Sequence, residues 1–487
     1  MNLKNTFTSI FLLSSIISFS QEKKENFFYA TLESQHAEEL KLKFPKQIDI
    51  IQSKNNLSSV YMDSNITHEL HQKILSHGPG YLFHSTKEQA NLSLKQPNAE
   101  SKIALNYSIS EQEYVNKILD EVNEKKIEEV VLMLEAYGTR YHLREQANLA
   151  AEDLKLLWEK MIKDAGREND VSVRIINHQN TPMKSVALTI IGNSNPSEYV
   201  IIGGHLDSII SGSTQASAPG ADDNASGIAT ITEVLRVLLA NNFYPEKTVE
   251  MMAYAAEEIG LVGSNEIATS YKNDGKNIYA YVQFDMTGYK GSVDDIYITT
   301  DTFINNNLNL FLFDLMEEYN KSGKHQFTYN TTKCNYGCSD HYSWGIKGFP
   351  AAFPFEASFE ESSNFIHSVN DTYANMGNST AHSAKFVKLG LEFVVEAAKR
   401  KSTLSVNDVK KTQAKFYVDN KIIGFEVESN SKINKATIIN ISGQKVSVYS
   451  KLKSKDQIHL NHLPKGAYIL VLETQTGNKI SHKFLLN

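Results

Sequence analysis

The chain has 487 residues, of which 41% are hydrophobic and 22% charged, and its formal net charge is -7. This is ordinary globular composition, and the length suggests two to four domains. No basic cluster stands out, so nucleic acid is excluded as a partner, because phosphate binding leaves a basic footprint.

The N-terminus reads as a targeting segment. Lys4 precedes a short apolar core at residues 10–19, and Ser18 and Ser20 stand at -3 and -1 from a cut before Gln21. Residues 1–20 are therefore expected to be a secretory signal peptide, the alternative being a buried N-terminal helix. No other stretch approaches the ~18 apolar residues of a membrane-spanning helix, so no transmembrane segment is expected. Residues 21–110 form a first unit, a small α+β segment with strand-like pieces at 26–32, 48–52 and 57–62 and no ligand cluster. It reads either as a pro-region or as a subdomain that stays attached.

Residues 111–400 read as an α/β unit. Ser110 and Glu113 fit a capping box, and residues 146–165 a helix whose apolar face is Leu149, Leu154, Leu156, Leu157 and Met161. Residues 185–191 and 199–203 look like adjacent strands joined by an Asn-Ser-Asn-Pro turn. A long amphipathic helix follows the PGADDNASG loop, with Ile228, Ile231, Val234, Leu235, Leu238 and Leu239 at helical spacing. Apolar runs at 248–256 and 278–284 complete the strands, and 309–319 and 381–398 are further helices. The alternation predicts a mixed, mainly parallel central sheet with helices on both faces. After a lysine-rich linker at 399–411, residues 411–487 alternate apolar and polar positions (436–441, 445–449, 467–472), the pattern of a C-terminal β-sandwich.

Three apolar strands end in ligand-type residues. Residues 199–204 run into His205, with Asp207 two positions on; 248–256 run into Glu257 and Glu258; 278–284 run into Asp285. In an open α/β sheet the ligand crevice lies beyond the carboxyl ends of the strands, so these groups are expected to converge. The Asp222-Asp223 pair at the start of the long helix reaches the same crevice, and His367 completes a set. Alone, the aspartate pair would be a helix cap and His367 a structural histidine.

Charge favours two metals. Two divalent zincs are balanced by Asp223, Glu258, Asp285 and a bridging hydroxide, with His205 and His367 as neutral nitrogen ligands. Nitrogen and carboxylate ligands suit zinc, and cobalt or manganese would substitute. Of the two adjacent glutamates, one can bind metal while the other takes a proton from the bridging water. Asp207 is placed to accept the far ring proton of His205. The two cysteines, Cys334 and Cys338, either close a tight loop or remain free thiols.

GGHLDS, PGADDNASG, AYAAEEIGLVGS, FDMTGYKGS, CNYGCSDH and FIH occur in order over about residues 110–400. They closely resemble the secreted bacterial leucyl aminopeptidases with two co-catalytic zincs. The resemblance implies one zinc on Asp223, Glu258 and His367 and another on Asp223, Asp285 and His205. It implies Glu257 as the general base, a cis peptide after Asp223, and tolerance of Asn224 where the nearest relatives have aspartate. It further implies a Cys334–Cys338 disulfide, Tyr336 as a donor to the developing oxyanion, and a pocket for a large apolar side chain from Met286, Phe353, Phe355, Phe359 and Ile366. HLPKGAYILVLET and the final KFLLN resemble the sorting domain of the type IX secretion route, which implies export across an outer membrane by its secretion machinery.

The expected activity is thus that of a secreted metalloaminopeptidase acting on peptides with a free N-terminus. The rivals are a carboxypeptidase or dipeptidase, for which no basic clamp is visible near the motifs, and a glutaminyl cyclase, which would need one zinc.

Overall fold

The computed structural model describes residues 26–73, 78–95, 107–211, 215–401, 414–419, 421–427, 433–440, 444–474 and 479–486. The expected signal peptide and most of the linker lie outside the described residues. The chain divides into two compact units, Met1–Lys401 and Ser402–Asn487.

In the first unit, four antiparallel strands open the chain: β1 (Phe27–Glu33), β2 (Ile48–Lys54), β3 (Leu57–Asp63) and β4 (Leu82–His84), in the order β2-β3-β1-β4. The helices Ser34–Lys43 and Lys87–Ser93 accompany them. Their core is small, built from residues such as Leu32, Leu40, Val60, Met62 and Tyr81.

The central sheet has the order β12-β9-β7-β8-β6-β5, from β5 (Val171–Ile176), β6 (Ser185–Ile190), β7 (Asn195–His205), β8 (Lys247–Tyr254), β9 (Asn277–Gln283) and β12 (Ala351–Ala352). β12, β9, β7 and β8 run parallel, and β6 and β5 add antiparallel strands at one edge. A small accessory sheet joins β10 (Ile296–Thr299), β11 (Tyr329–Thr332) and β13 (Pro354–Phe355). β8 is buried along its whole length, as a strand covered on both faces must be.

β6 and β7 are not neighbours, contrary to expectation: β8 lies between them. The turn joining β6 to β7 does not fold back on itself. Its amides donate instead to the approach to β8, Asn193 to the Pro245 carbonyl at 2.9 Å and Asn195 to that of Glu246 at 2.8 Å.

Two local expectations also fail. The helix Gln112–Leu119 has no side-chain cap from Ser110. The Glu396 carboxylate, far along the chain, instead accepts the amides of Ser110 (2.9 Å) and Glu111 (2.8 Å). The helix Glu145–Asp164 buries Ala147, Ala150, Ala151, Leu154, Trp158 and Ile162, while Leu149 and Leu156 are 47% and 58% exposed. The buried positions 147, 150, 151, 154, 158 and 162 recur at three- and four-residue spacing, and Leu149 and Leu156 fall off that face. The helix Gly227–Ala240 buries all six of its expected apolar positions.

The second unit holds two antiparallel sheets. One contains β14 (Ala414–Asp419), β15 (Ile422–Val427) and β18 (Lys455–His459). The other contains β16 (Ile433–Asn440), β17 (Lys445–Leu452), β19 (Gly466–Thr474) and β20 (Lys479–Leu486). Ile423, Phe425, Ala436, Ile438, Leu470 and Leu472 join both sheets in one core, the packing of a small sandwich.

Candidate metal centre

The parallel strands β8, β7 and β9 are neighbours, and each delivers its polar residue at its carboxyl end. His205 closes β7, Glu257 and Glu258 follow β8, and Asp285 follows β9. Gly204 lets β7 approach the chain after β9: a methyl there would lie 2.6 Å from the Phe284 carbonyl oxygen. Asp223 comes from the turn Ala221–Ser226, and His367 from the loop after β13. His367 has φ 51°, and Ala256 (φ 54°) and Met286 (φ 56°) share this left-handed region beside Glu257 and Asp285. Such backbone is rare for residues with a side chain and collects at functional sites.

The groups converge. Asp223 Oδ1 lies 3.0 Å from His205 Nε2, and its Oδ2 3.1 Å from His367 Nε2. His205 Nε2 is 3.2 Å from Asp285 Oδ1, and His367 Nε2 is 3.0 Å from Glu258 Oε2. The atoms fall into overlapping clusters of metal-coordinating type: His205 with Asp223 and Asp285, Asp223 with Glu258 and His367, and His205 with Glu257 and Glu258. All six residues are buried. The oxygens of Glu257 and Glu258 Oε1 accept no hydrogen bond, while Glu258 Oε2 and Asp223 Oδ2 both face His367 Nε2. Buried carboxylates left so are costly unless a cation balances them.

The ionisation pattern reports the same crowding of negative charge. Burial pushes Glu257 well above the usual carboxylate range; His205 opposes this, while Glu258, Asp340 and Asp285 add to it. Burial likewise raises Glu258, to about 7. His205 is held well above its ordinary value despite burial, by Asp285, Asp207 and Asp223.

Residues 185–391 match Peptidase family M28, and residues 419–487 match the secretion system C-terminal sorting domain. A leucine aminopeptidase 1 of Colletotrichum graminicola is 34% identical over 65% of this chain and 79% of its own length. The chain belongs to peptidase family M28. A probable aminopeptidase of Saccharomyces cerevisiae is 32% identical over 59% of this chain and 76% of its own. LapB of Legionella pneumophila superposes with a TM-score of 0.66 at 26% identity, covering 77% of this chain and all of that one. The LapA aminopeptidase of the same organism superposes equally well. This M28 chain is therefore a zinc-dependent aminopeptidase carrying a type IX sorting domain.

Around the M28 cluster the supports are in part those expected. The Asp223–Asn224 peptide is cis. Asn224 stays off the cluster: its Oδ1 accepts the amides of Gly227 (2.9 Å) and Met286 (3.2 Å), and its Nδ2 donates to the Phe284 carbonyl (3.0 Å). Cys334 and Cys338 are disulfide-bonded, with Cα atoms 6.2 Å apart. Tyr336, between them, is buried in one apolar cluster with Met286, Phe353 and Phe355, against which Phe359 and Ile366 pack.

Asp207 does more than its sequence position suggested. His205 Nδ1 lies 3.2 Å from its main-chain oxygen and 3.4 Å from its Oδ1. Its carboxylate also accepts the amides of Glu257 (2.9 Å) and Glu258 (3.2 Å). Sequence reasoning also missed Ser339, whose hydroxyl donates to Asp285 and accepts from Gln283 Nε2 at 2.9 Å. Its place directly after Cys338 was the available signal.

The segment before β4 crosses this crevice. A methyl on Gly78 would lie 2.3 Å from the Cys338 carbonyl oxygen and 3.1 Å from Glu257 Oε1. Gly80 and Tyr81 line a cavity of about 290 Å³ together with Phe303, Tyr336 and Tyr342. Leu82 belongs to the same apolar cluster as Met286 and Tyr336, and the Phe83 amide donates to the Gly260 carbonyl at 3.0 Å.

Proposed function

We propose that this aminopeptidase holds two zincs and removes large apolar N-terminal residues from peptides. The supporting observation is the carboxylate of Asp223, whose two oxygens face two different histidines at 3.0 and 3.1 Å. Such a carboxylate could offer one oxygen to each of two metals, whose paired charge would stabilise both the attacking and the leaving atoms. Asp285 and His205 complete one ligand set, and Glu258 and His367 the other, with unpartnered buried carboxylate oxygens supporting the fit.

When bound, the zincs supply Lewis-acid polarisation of the scissile carbonyl and a more acidic attacking water. Glu257 accepts the proton of that water and returns it to the departing amine. Neither of its oxygens is engaged by another group. Tyr336 donates its hydroxyl to the carbonyl oxygen as negative charge develops there. The cluster of Met286, Phe353, Phe355, Phe359 and Ile366 receives the first side chain. A preference for apolar residues also agrees with the leucine aminopeptidase relatives.

The remaining assignments are proposals of the same kind. Residues 1–20 direct entry into the export route and the sorting domain passes the protein across an outer membrane. The N-terminal unit is a pro-region, because Gly78 to Tyr81 lie over Glu257 and against Tyr336, where a substrate would sit.

One experiment tests the core of this reading. Purified protein is assayed for bound metal and against a panel of aminoacyl chromogenic substrates, with and without a chelator. Two zincs per chain and chelator-sensitive turnover, fastest on leucyl or phenylalanyl substrates, are expected. One tightly bound zinc with no gain from more would overturn the two-metal site.

A further inference from the structure

The turn that carries Asp223 is not regular helix. Asp223 has φ -108° and ψ 91°, and Asn224 φ -134° and ψ 48°. Some of its backbone groups pair within the turn, the Ala225 amide donating to the Gly220 carbonyl at 3.0 Å, and others must find partners outside it. Two buried residues outside the proposed ligand set provide several of these.

Arg140 takes the carbonyl side. Its Nη1 donates to the Pro219 carbonyl at 2.6 Å and its Nη2 to that of Gly220 at 2.8 Å. Its Nε donates to the Leu206 carbonyl at 2.8 Å, next to His205. Asp371 takes the amide side. Its Oδ1 accepts the Asp222 amide at 2.9 Å and its Oδ2 the Asp223 amide at 3.0 Å. Its main-chain oxygen accepts the Ala221 amide at 3.1 Å. The Pro219 and Gly220 carbonyls and the Ala221, Asp222 and Asp223 amides are thus each held by one of these two residues.

The same two residues belong to the neighbouring ligand segments. Asp371 lies four positions after His367, whose carbonyl is tied to the Ser211 amide at 2.8 Å. Arg140 grips the chain directly after His205. Displacement of either alters the distance from Asp223 to one histidine or the other.

We propose that Arg140 and Asp371 are positioning residues that hold the Asp223 turn from opposite sides and so set the affinity of the metal pair. This rests on the two-zinc reading above. Neither residue belongs to the proposed ligand set. They act through Asp223.

The test uses the full chain and reads zinc affinity, by competition with a chromogenic chelator, beside kcat, KM and thermal melting. Asp371→Asn keeps the shape but loses one acceptor. Arg140→Lys keeps the charge but loses the fork. Each is expected to weaken zinc about 10–100-fold, as loss of an orienting partner does. Both should lower kcat with little change in KM, and the double variant should fall short of the product of the single effects because both act on one turn. Asp371→Glu, which retains two acceptors, should recover part of the loss. Glu396→Gln is the control, since it replaces one of the two oxygens that accept the Ser110 and Glu111 amides, remote in the chain from the turn. It should lower the melting temperature and leave zinc affinity unchanged. Wild-type zinc affinity in both Asp371→Asn and Arg140→Lys overturns the proposal, as does equal weakening in Glu396→Gln. If the wild type holds one zinc only, the two-metal reading fails while the positioning role is still decided on that zinc.

Discussion

Asp207 accepts the main-chain amide of Glu257 at 2.9 Å, so the chain leaving β7 fixes the residue that follows β8. The same carboxylate holds the Glu258 amide at 3.2 Å. One aspartate thereby sets the relation between a histidine, a carboxylate of the second ligand set and the proposed proton acceptor. Asp207→Asn replaces one acceptor by an N–H donor that faces another N–H. Turnover should fall about 10–100-fold with zinc partly retained. Kinetics and metal content measured on the same preparation check this; unchanged kcat would remove Asp207 from the machinery.

Glu257→Ala should keep its metals and lose about 10²–10⁴-fold in kcat, with little effect on KM. The substitution removes a buried carboxyl whose oxygens have no hydrogen-bond partner, so the fold should tolerate it. Near-normal turnover in a metal-replete variant would show that the proton travels another way.

The N-terminal unit should restrain the enzyme. Gly78→Ala places a methyl 2.3 Å from the Cys338 carbonyl oxygen, at φ 73°, and so should displace the crossing segment. The kcat/KM for a small aminoacyl substrate should rise at least about tenfold, since a displacement worth about 1.4 kcal/mol changes an equilibrium by that factor. A protease site introduced between Lys95 and Tyr107 gives a second route, with activity followed during cleavage of the full chain. Equal activity in the intact, cleaved and Gly78→Ala proteins would show that the unit is a permanent subdomain.

Glu33 should make the seam beside the site sensitive to pH. It lines the cavity shared with Asp301, Lys333, Tyr336 and Tyr342. Burial, and then Asp301, push its carboxyl up from 4.5 to about 7. An acid whose folded value is raised contributes its full stability below the unfolded value and loses it as pH rises towards the folded one. The loss therefore runs from about pH 4.5 to pH 7 and is constant above. Glu33→Gln should melt higher than wild type at pH 8, with the difference vanishing near pH 4. A difference independent of pH would exclude Glu33 as the titrating group.

Much of the centre was legible because His205, Glu257, Glu258 and Asp285 stand at strand ends and Asp223 just before a helix, where local pattern and crevice position coincide; His367 lies in a loop and was found only by completing the set. The apolar run 248–256 marked the end that bears Glu257 and Glu258. What stayed hidden depends on partners distant in the chain. The insertion of β8 between β6 and β7 is written in amides that seek Pro245 and Glu246, not in any periodicity. Glu396 accepts the Ser110 amide that the expected capping box would have given to Glu113. The buried face of Glu145–Asp164 runs through Ala147, Ala150, Ala151 and Trp158, which a reading centred on the leucines passed over. Arg140 and Asp371 carried no motif signal because their partners are main-chain groups, which every residue possesses.

The described chain has a single covalent crosslink, Cys334–Cys338, and it spans only four positions. So short a ring removes little freedom from the unfolded chain. The proposed ligands, by contrast, come from five separate segments between His205 and His367. Loops tied over such separations cost far more entropy to close, and metal binding energy is then folding energy. Zinc held by the proposed ligands would thus tie together segments that no covalent bond joins.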